Sequence, residues 1–382
     1  MFVKILKYFL IMVAVFALAI VGFFKLSPVF GGHADNVTLS HMAKMKTFNN
    51  GIFENLEPII VDGSGAGVAE EDRLHVGNFL MNIFNPADGK HLNQPLPTLP
   101  LKDNLPTQNN SFTWLGHSSV IFKMSDKVLM TDPVFYRVSP IPMGGSPYAM
   151  TNLPKTADLP NIDIVIISHD HYDHLDMKAI KEIHERVGKF LVPLGVKAHL
   201  LKWGVPESKI SEFAWYDHQD VDGLSFDYVP ARHYGGRSFG TRNTSLWGGW
   251  VIKADDFALY YTGDSGYGSH FTDVGEKYAP EDGFDLILVE NGAYNVNWAD
   301  VHMFPEQSVQ AVKDARGKVA LPVHWGKYDL AYHAWNEPAQ RFYTEAQKQN
   351  INILTPQIGQ NIRIGDETHD WWTAVKYSGS NE

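Results

Sequence analysis

The chain has 382 residues, with 32 Lys and Arg against 43 Asp and Glu, 17 His and no Cys. At 44% hydrophobic and 20% charged it has the composition of a folded globular protein, and a net charge of −11 speaks against a broad nucleic-acid-binding face. Without Cys there can be no disulfide, no thiol nucleophile and no thiolate metal site, so any metal centre must draw on the abundant His and on carboxylates.

In chain order, the first feature is an uncharged apolar run from Tyr8 to Phe24, preceded by Lys4 and Lys7 and followed by Lys25. With its flanks it reaches the ~17–25 residues that a helix needs to cross a bilayer. It exceeds the roughly 7–15 apolar residues of a cleavable signal, and no Ala-x-Ala follows it closely. The reading is a single-pass anchor over residues 1–29, with cleavage near Gly32-His33-Ala34 as the alternative. The charge balance puts the N-terminus in the cytoplasm and the rest on the periplasmic, extracytoplasmic side.

Residues 30–110 carry one predicted helix, Glu70 to Ile83, then Pro86, Pro95, Pro97, Pro100 and Pro106. They are expected to form an arm or linker packed on the main domain. From Ser111 the character changes. β-type runs recur at Phe112–Leu115, Val120–Phe122, Val128–Thr131, Ile164–Ser168, Phe190–Pro193, Ser225–Pro230, Trp250–Lys253, Ala258–Thr262, Leu286–Val289 and Val319–His324. Helical segments are predicted at Met177–Val187, Pro305–Asp314 and Glu337–Gln349, the last two opened by helix-start prolines. Strands alternating with helices predict an α/β layered domain over residues 111–382, with its polar residues at strand ends.

The strongest chemical signal is Ser168-His169-Asp170-His171-Tyr172-Asp173-His174-Leu175-Asp176, directly after an apolar strand. His169 and His171 lie two apart on extended chain, so both rings emerge on one side. Asp173 and His174 follow where the chain turns into a helix. One short segment thus offers two imidazoles to one cation, and a carboxylate with an imidazole to a neighbour. Four further candidates sit near strand ends or a helix start: His233, Asp264, His324 and His302. Any one of them alone could equally serve a core hydrogen bond.

Together these residues resemble the metallo-β-lactamase fold superfamily, and within it the N-acyl-phosphatidylethanolamine-hydrolysing phospholipase D branch. The resemblance runs from about residue 111 to about 345. It rests on Trp114-Leu115-Gly116-His117-Ser118-Ser119, Thr131-Asp132-Pro133, the His169–Asp176 segment, Arg232-His233, Gly263-Asp264-Ser265-Gly266-Tyr267, Gly292-Ala293-Tyr294, His302 and His324-Trp325-Gly326. It implies an αβ/βα sandwich of two mixed sheets flanked by helices. His169, His171 and His233 would hold one divalent cation, Asp173, His174 and His324 a second, and Asp264 would bridge them. All-nitrogen-and-oxygen ligation suits zinc, with iron or manganese as alternatives. Asp132 and His117 are expected to support ligand rings, and Tyr172 to line the pocket.

Two such cations acidify a bridging water and hold a phosphate oxygen. The expected reaction is therefore hydrolysis of a phospholipid or related amphiphile, with His302 facing the phosphoryl oxygens or the leaving group, or else only capping a helix. The alternatives are a lactone or β-lactam hydrolase and a non-catalytic, metal-stabilised binding protein. Three departures from the mammalian members of that branch bear on substrate. Val301 stands where they carry Gln, the N-terminal arm differs, and so does the pair Glu290-Asn291. Trp298 and the pair Trp371-Trp372 are weighed as membrane-interface residues against packing in the core.

Overall fold

The computed structural model describes residues 2–60, 89–90, 92–141, 143–238 and 240–377. The expected helix Glu70–Ile83 lies outside the described residues. Helix α1, Phe2–Leu26, holds the apolar run, and its span Lys4–Leu26 has a mean hydropathy of 2.6 with none of its apolar window buried. Its length and apolarity fit a membrane anchor or a signal. Helix α2, Asn36–Met42, follows a short turn, with Asp35 capping its start, and a small ribbon pairs β1, Phe48–Asn49, with β2, Ile52–Phe53.

Two seven-stranded sheets make the body. The first holds β3 (Ser111–Trp114), β4 (Val120–Met124), β5 (Lys127–Thr131), β6 (Ile162–Ile166), β7 (Val187–Pro193), β8 (Ile210–Phe213) and β16 (Asn361–Arg363) in the order β16-β3-β4-β5-β6-β7-β8. The second holds β9 (His218–Val221), β10 (Leu224–Val229), β11 (Gly249–Lys253), β12 (Ala258–Tyr261), β13 (Leu286–Glu290), β14 (Val319–Val323) and β15 (Asn352–Ile353) in the order β15-β14-β13-β12-β11-β10-β9. Each sheet is antiparallel on one side and parallel on the other, the switch falling at β5–β6 and at β12–β13. The β16–β3 pair brings residues near the end of the described chain back into the first sheet.

Period-two patterning explains the layering. Ile164 and Ile166 of β6 pack with Trp250, Leu259, Tyr261 and Leu288 in the core between the sheets. The alternate residues Val165 and Ile167 face α3, Met177–Ile183, through Ala179, Ile180 and Ile183. On the far side, Val251, Tyr260, Ile287 and Val289 pack against α5, His270–Tyr278, α6, Pro305–Asp314, and α7, Glu337–Gln349. Both sheets are therefore covered on their outer faces. A further short helix, α4, Lys197–Lys202, follows β7.

Two expectations are corrected. The segment Met177–Val187 is not one helix: α3 ends at Ile183, a 3-10 turn covers His184–Arg186, and Val187 begins β7. His302 does not open a helix, since α6 starts at Pro305 behind Phe304. Of the two readings of Trp371 and Trp372, packing in the core is the one observed: Trp372 is fully buried and Trp371 stacks on Trp325 at 5.6 Å.

Candidate metal centre

The carboxyl ends of β5, β6, β10, β12, β13 and β14 open onto one edge of the sandwich, and the loops leaving them carry the polar residues. This is where layered α/β folds place their ligands, because the strand ends leave a crevice that loops can line. The loop after β6 supplies His169, His171, Asp173 and His174, and Asp176 closes it by accepting from the N–H groups of Lys178 and Ala179 at the start of α3. His233 follows β10, Asp264 follows β12 and His324 follows β14.

These seven residues converge. His169 Nε2 lies 2.9 Å from His171 Nδ1, and His233 Nε2 lies 3.2 Å from the same atom. Asp173 Oδ2 lies 3.7 Å from His174 Nε2 and 3.4 Å from His324 Nε2. Between the two groups sits Asp264, with Oδ2 at 3.0 Å from both His174 Nε2 and His324 Nε2 and at 3.9 Å from both His169 Nε2 and His233 Nε2.

The residues around them set ring orientation. His233 donates from Nδ1 to Val301 O at 3.0 Å, which leaves Nε2 free to bind. Asp132 accepts His174 Nδ1 at 2.6 Å, and also the Ser168 N–H, the Ser168 hydroxyl and the Tyr261 hydroxyl. His117 Nε2 lies 3.1 Å from Asp173 Oδ2. His117, Asp132 and His324 all hold positive φ, at 54°, 32° and 69°. Backbone strain of this kind persists only where surrounding contacts enforce it.

The donor set fits a cation. His174 Nε2 and His324 Nε2 lie 3.0 Å from Asp264 Oδ2 without a well-directed hydrogen bond, and His324 Nδ1 and Asp264 Oδ1 are buried without a hydrogen-bond partner, an arrangement that costs stability unless something positive lies between them. Burial drives His169 and His233 well below the ordinary imidazole range, so those rings are neutral and offer lone pairs. Burial acts the same way on His324, but the facing Asp264 carboxylate outweighs it and holds the ring up at about 10. The carboxylates thus demand positive charge, which a divalent cation supplies in place of protons.

The centre forms the floor of a cavity of about 390 Å³. His171, Asp173, Asp264, His302 and His324 line its polar side, and Val138, Tyr172, Tyr234, Trp298, Val301 and Leu330 its remaining wall. A larger cavity of about 710 Å³ between Asn336–Arg341 and Thr373–Tyr377 is lined by none of these groups. Tyr172 is a pocket residue whose hydroxyl donates to Arg237 O. His302 reaches the pocket with Nδ1 held by Glu290, at 3.0 Å from its Oε1.

Glu290 joins the site only through the tertiary structure; in the sequence it stands out merely as part of the departing pair Glu290-Asn291. It is fully buried and also accepts the Met303 N–H. The signal was there to use, since an acidic residue ending the aliphatic strand Leu286-Ile287-Leu288-Val289 is out of place unless paired. Tyr234, on the cavity wall, carried no such signal.

Strand-end imidazoles and carboxylates between two mixed sheets, with helices outside, define a metallo-β-lactamase-type hydrolase. The chain belongs to this superfamily: residues 128–325 match the family described as Beta-lactamase superfamily domain, and the chain is a metal-dependent hydrolase of that group. It is similar to an uncharacterized protein of Mycobacterium tuberculosis, with 40% identity over 270 residues covering 68% of this chain and 71% of that one. It is also similar to N-acyl-phosphatidylethanolamine-hydrolyzing phospholipase D 1 of Caenorhabditis elegans, with 31% identity over 298 residues covering 74% and 82%. Among solved structures, a possible metal-dependent hydrolase from Veillonella parvula shares the fold at a TM-score of 0.53 and 17% identity, covering 67% of this chain and all of that one.

Proposed function

We propose that this chain is a membrane-anchored, dinuclear metal-dependent phosphodiesterase that hydrolyses a phospholipid or a related amphiphile in the manner of a phospholipase D. The observation that carries the reading is the position of Asp264, whose Oδ2 lies 3.0 Å from His174 Nε2 and from His324 Nε2 and faces His169 and His233 from the other side. A carboxylate so placed suits a bridge between two cations. The similarity to the nematode phospholipase over most of both chains supports the choice of substrate class.

In this reading His169, His171 and His233 hold one cation and Asp173, His174 and His324 the other. When bound, divalent cations acidify water and neutralise the charge on phosphoryl oxygens. The chain's own groups do the rest. Glu290 holds Nδ1 of His302, so Nε2 is the ring nitrogen left to face the leaving-group oxygen. Tyr172, Trp298 and Leu330 offer an apolar wall to the lipid portion. Residues 1–29 tie the enzyme to the bilayer that holds its substrate, residues 30–110 form the arm, and residues 111–382 form the hydrolase domain.

Turnover of a glycerophospholipid panel, a lactone panel and nitrocefin by the zinc-loaded protein tests the proposal. Phosphodiester cleavage that disappears on chelation is the expected result. Lactone turnover without any phosphodiester turnover would overturn it, as would the absence of metal-dependent turnover altogether.

A further inference from the structure

The loop that carries four of the seven candidate ligands is held from behind by two buried side chains, His199 and Arg237. His199 Nε2 donates to Asp170 Oδ2 at 3.1 Å, and Asp170 also accepts from the Ser245 hydroxyl and the Gly236 N–H. Arg237 donates through one guanidinium nitrogen to Asp170 O at 2.6 Å and Leu175 O at 2.8 Å. Both ends of the segment 170–175 are therefore tied down.

The same two side chains also hold the segment directly behind α1. His199 Nδ1 accepts from Gly32 N–H at 3.0 Å, which is possible only if the ring proton sits on Nε2, the nitrogen facing Asp170. Arg237 Nε donates to Val29 O at 3.2 Å. Next to them, Trp203 Nε1 donates to Pro28 O and Lys202 Nζ to Gly31 O, each at 2.7 Å. Close approach needs two glycines: a Cβ on Gly31 would lie 1.9 Å from His199 Nδ1, and one on Gly32 would lie 2.2 Å from Ala198 O. Gly31 also adopts φ of 75°, which favours glycine.

We propose that His199 and Arg237 are positioning residues through which the strap of residues 28–32 braces the ligand-bearing loop, so that the segment joining the membrane helix to the body is a working part of the metal centre. The inference rests on the reading of residues 169–174 as metal ligands. It makes the joint between helix and hydrolase stiff, and it fixes the cavity relative to α1. Groups that hold ligands in place typically govern metal affinity by about ten- to a hundredfold.

The test uses the full-length protein in detergent and cobalt(II) as the probe. Gly32→Ala drives the strap away from Ala198 without touching the loop. It is expected to weaken cobalt(II) binding about tenfold, to alter the cobalt absorption spectrum and to speed amide exchange in residues 169–175. Unchanged affinity and spectrum, with exchange accelerated only in residues 28–34, would overturn the proposal. Should that variant fail to fold, His199→Phe removes both bonds at similar ring size and His199→Gln restores a donor for Asp170 alone. Partial recovery of cobalt affinity by His199→Gln supports the role of the strap; full recovery while the strap still exchanges fast shows the strap to be dispensable. A wild type that binds no cobalt sinks the metal-site reading, and this inference with it, whereas unaltered affinity in Gly32→Ala sinks the inference alone.

Discussion

Nδ1 of His302 lies 3.0 Å from Oε1 of Glu290, a carboxylate with no exposure to solvent at the end of an aliphatic strand. The pair fixes which edge of the imidazole meets the pocket. Glu290→Gln keeps an acceptor in place but removes the charge behind the ring. It is expected to lower kcat about a hundredfold, the lower end of what a positioned acid–base group contributes, with little change in KM. Steady-state kinetics check this, and the side-chain nitrogen signals of His302 report any change of tautomer.

Asp264 faces both groups of candidate ligands, so under the proposed dinuclear reading Asp264→Asn should impair both cation positions. Loss of bound metal is expected in elemental analysis, with turnover lowered about a thousandfold, equivalent to ~4 kcal/mol of barrier. The circular dichroism spectrum should be retained. Exhaustive chelation of the wild type should abolish turnover, and titration with zinc should restore it at two equivalents per chain.

Asp132 is the acceptor for His174 Nδ1, the Ser168 N–H and hydroxyl and the Tyr261 hydroxyl, all buried. Asp132→Ala leaves these donors unpaired, at a cost of about 1–3 kcal/mol for each one left unsatisfied. Denaturant melts should show a loss of at least ~3 kcal/mol if three remain unpaired. Metal affinity should fall about tenfold or more because His174 is no longer held.

Lys327 is fully buried and donates to Leu115 O at 3.1 Å and Val134 O at 2.7 Å. Burial pulls its ammonium down to about 7 from an ordinary 10.5. Between those values the unfolded chain holds a proton that the folded chain does not, so this group makes stability rise with pH across that window. Below about 7 both states are protonated and the full cost of burying the charge is felt. Lys327→Met should flatten this dependence, as urea melts at pH 6.5, 8 and 9.5 would reveal.

The ten strand runs expected from the sequence each overlap an observed strand, because buried strands announce themselves by consecutive aliphatic and aromatic residues. Among the described residues, the strands without such a run are Ile210–Phe213, His218–Val221, Asn352–Ile353, Asn361–Arg363 and the ribbon at residues 48–53. Most are short and lie at sheet edges, where polar residues such as His218 and Asp220 are tolerated on exposed faces. Helices at Asn36–Met42, Lys197–Lys202 and His270–Tyr278 likewise carry little helical signal in the sequence. The first two span fewer than two turns, and the third has Gly275 within it, which weakens a helical pattern.

The sequence by itself determined the chemistry available to the centre: no thiolate, a surplus of imidazole, and one segment bearing three His and a ligand-type Asp between a strand and a helix. Local spacing is enough for this, because residues two to five apart share one short stretch of backbone. Tertiary structure alone decided how His233, Asp264 and His324 meet that segment, since it is the stacking of the two sheets that brings distant strand ends to one edge. It alone placed Glu290 behind His302 and the Gly31-Gly32 strap against His199, contacts between residues 12 and 167 positions apart. Such contacts leave little trace in local pattern, because what selects them is the cost of leaving buried polar groups unpaired, and that cost exists only once the chain has folded.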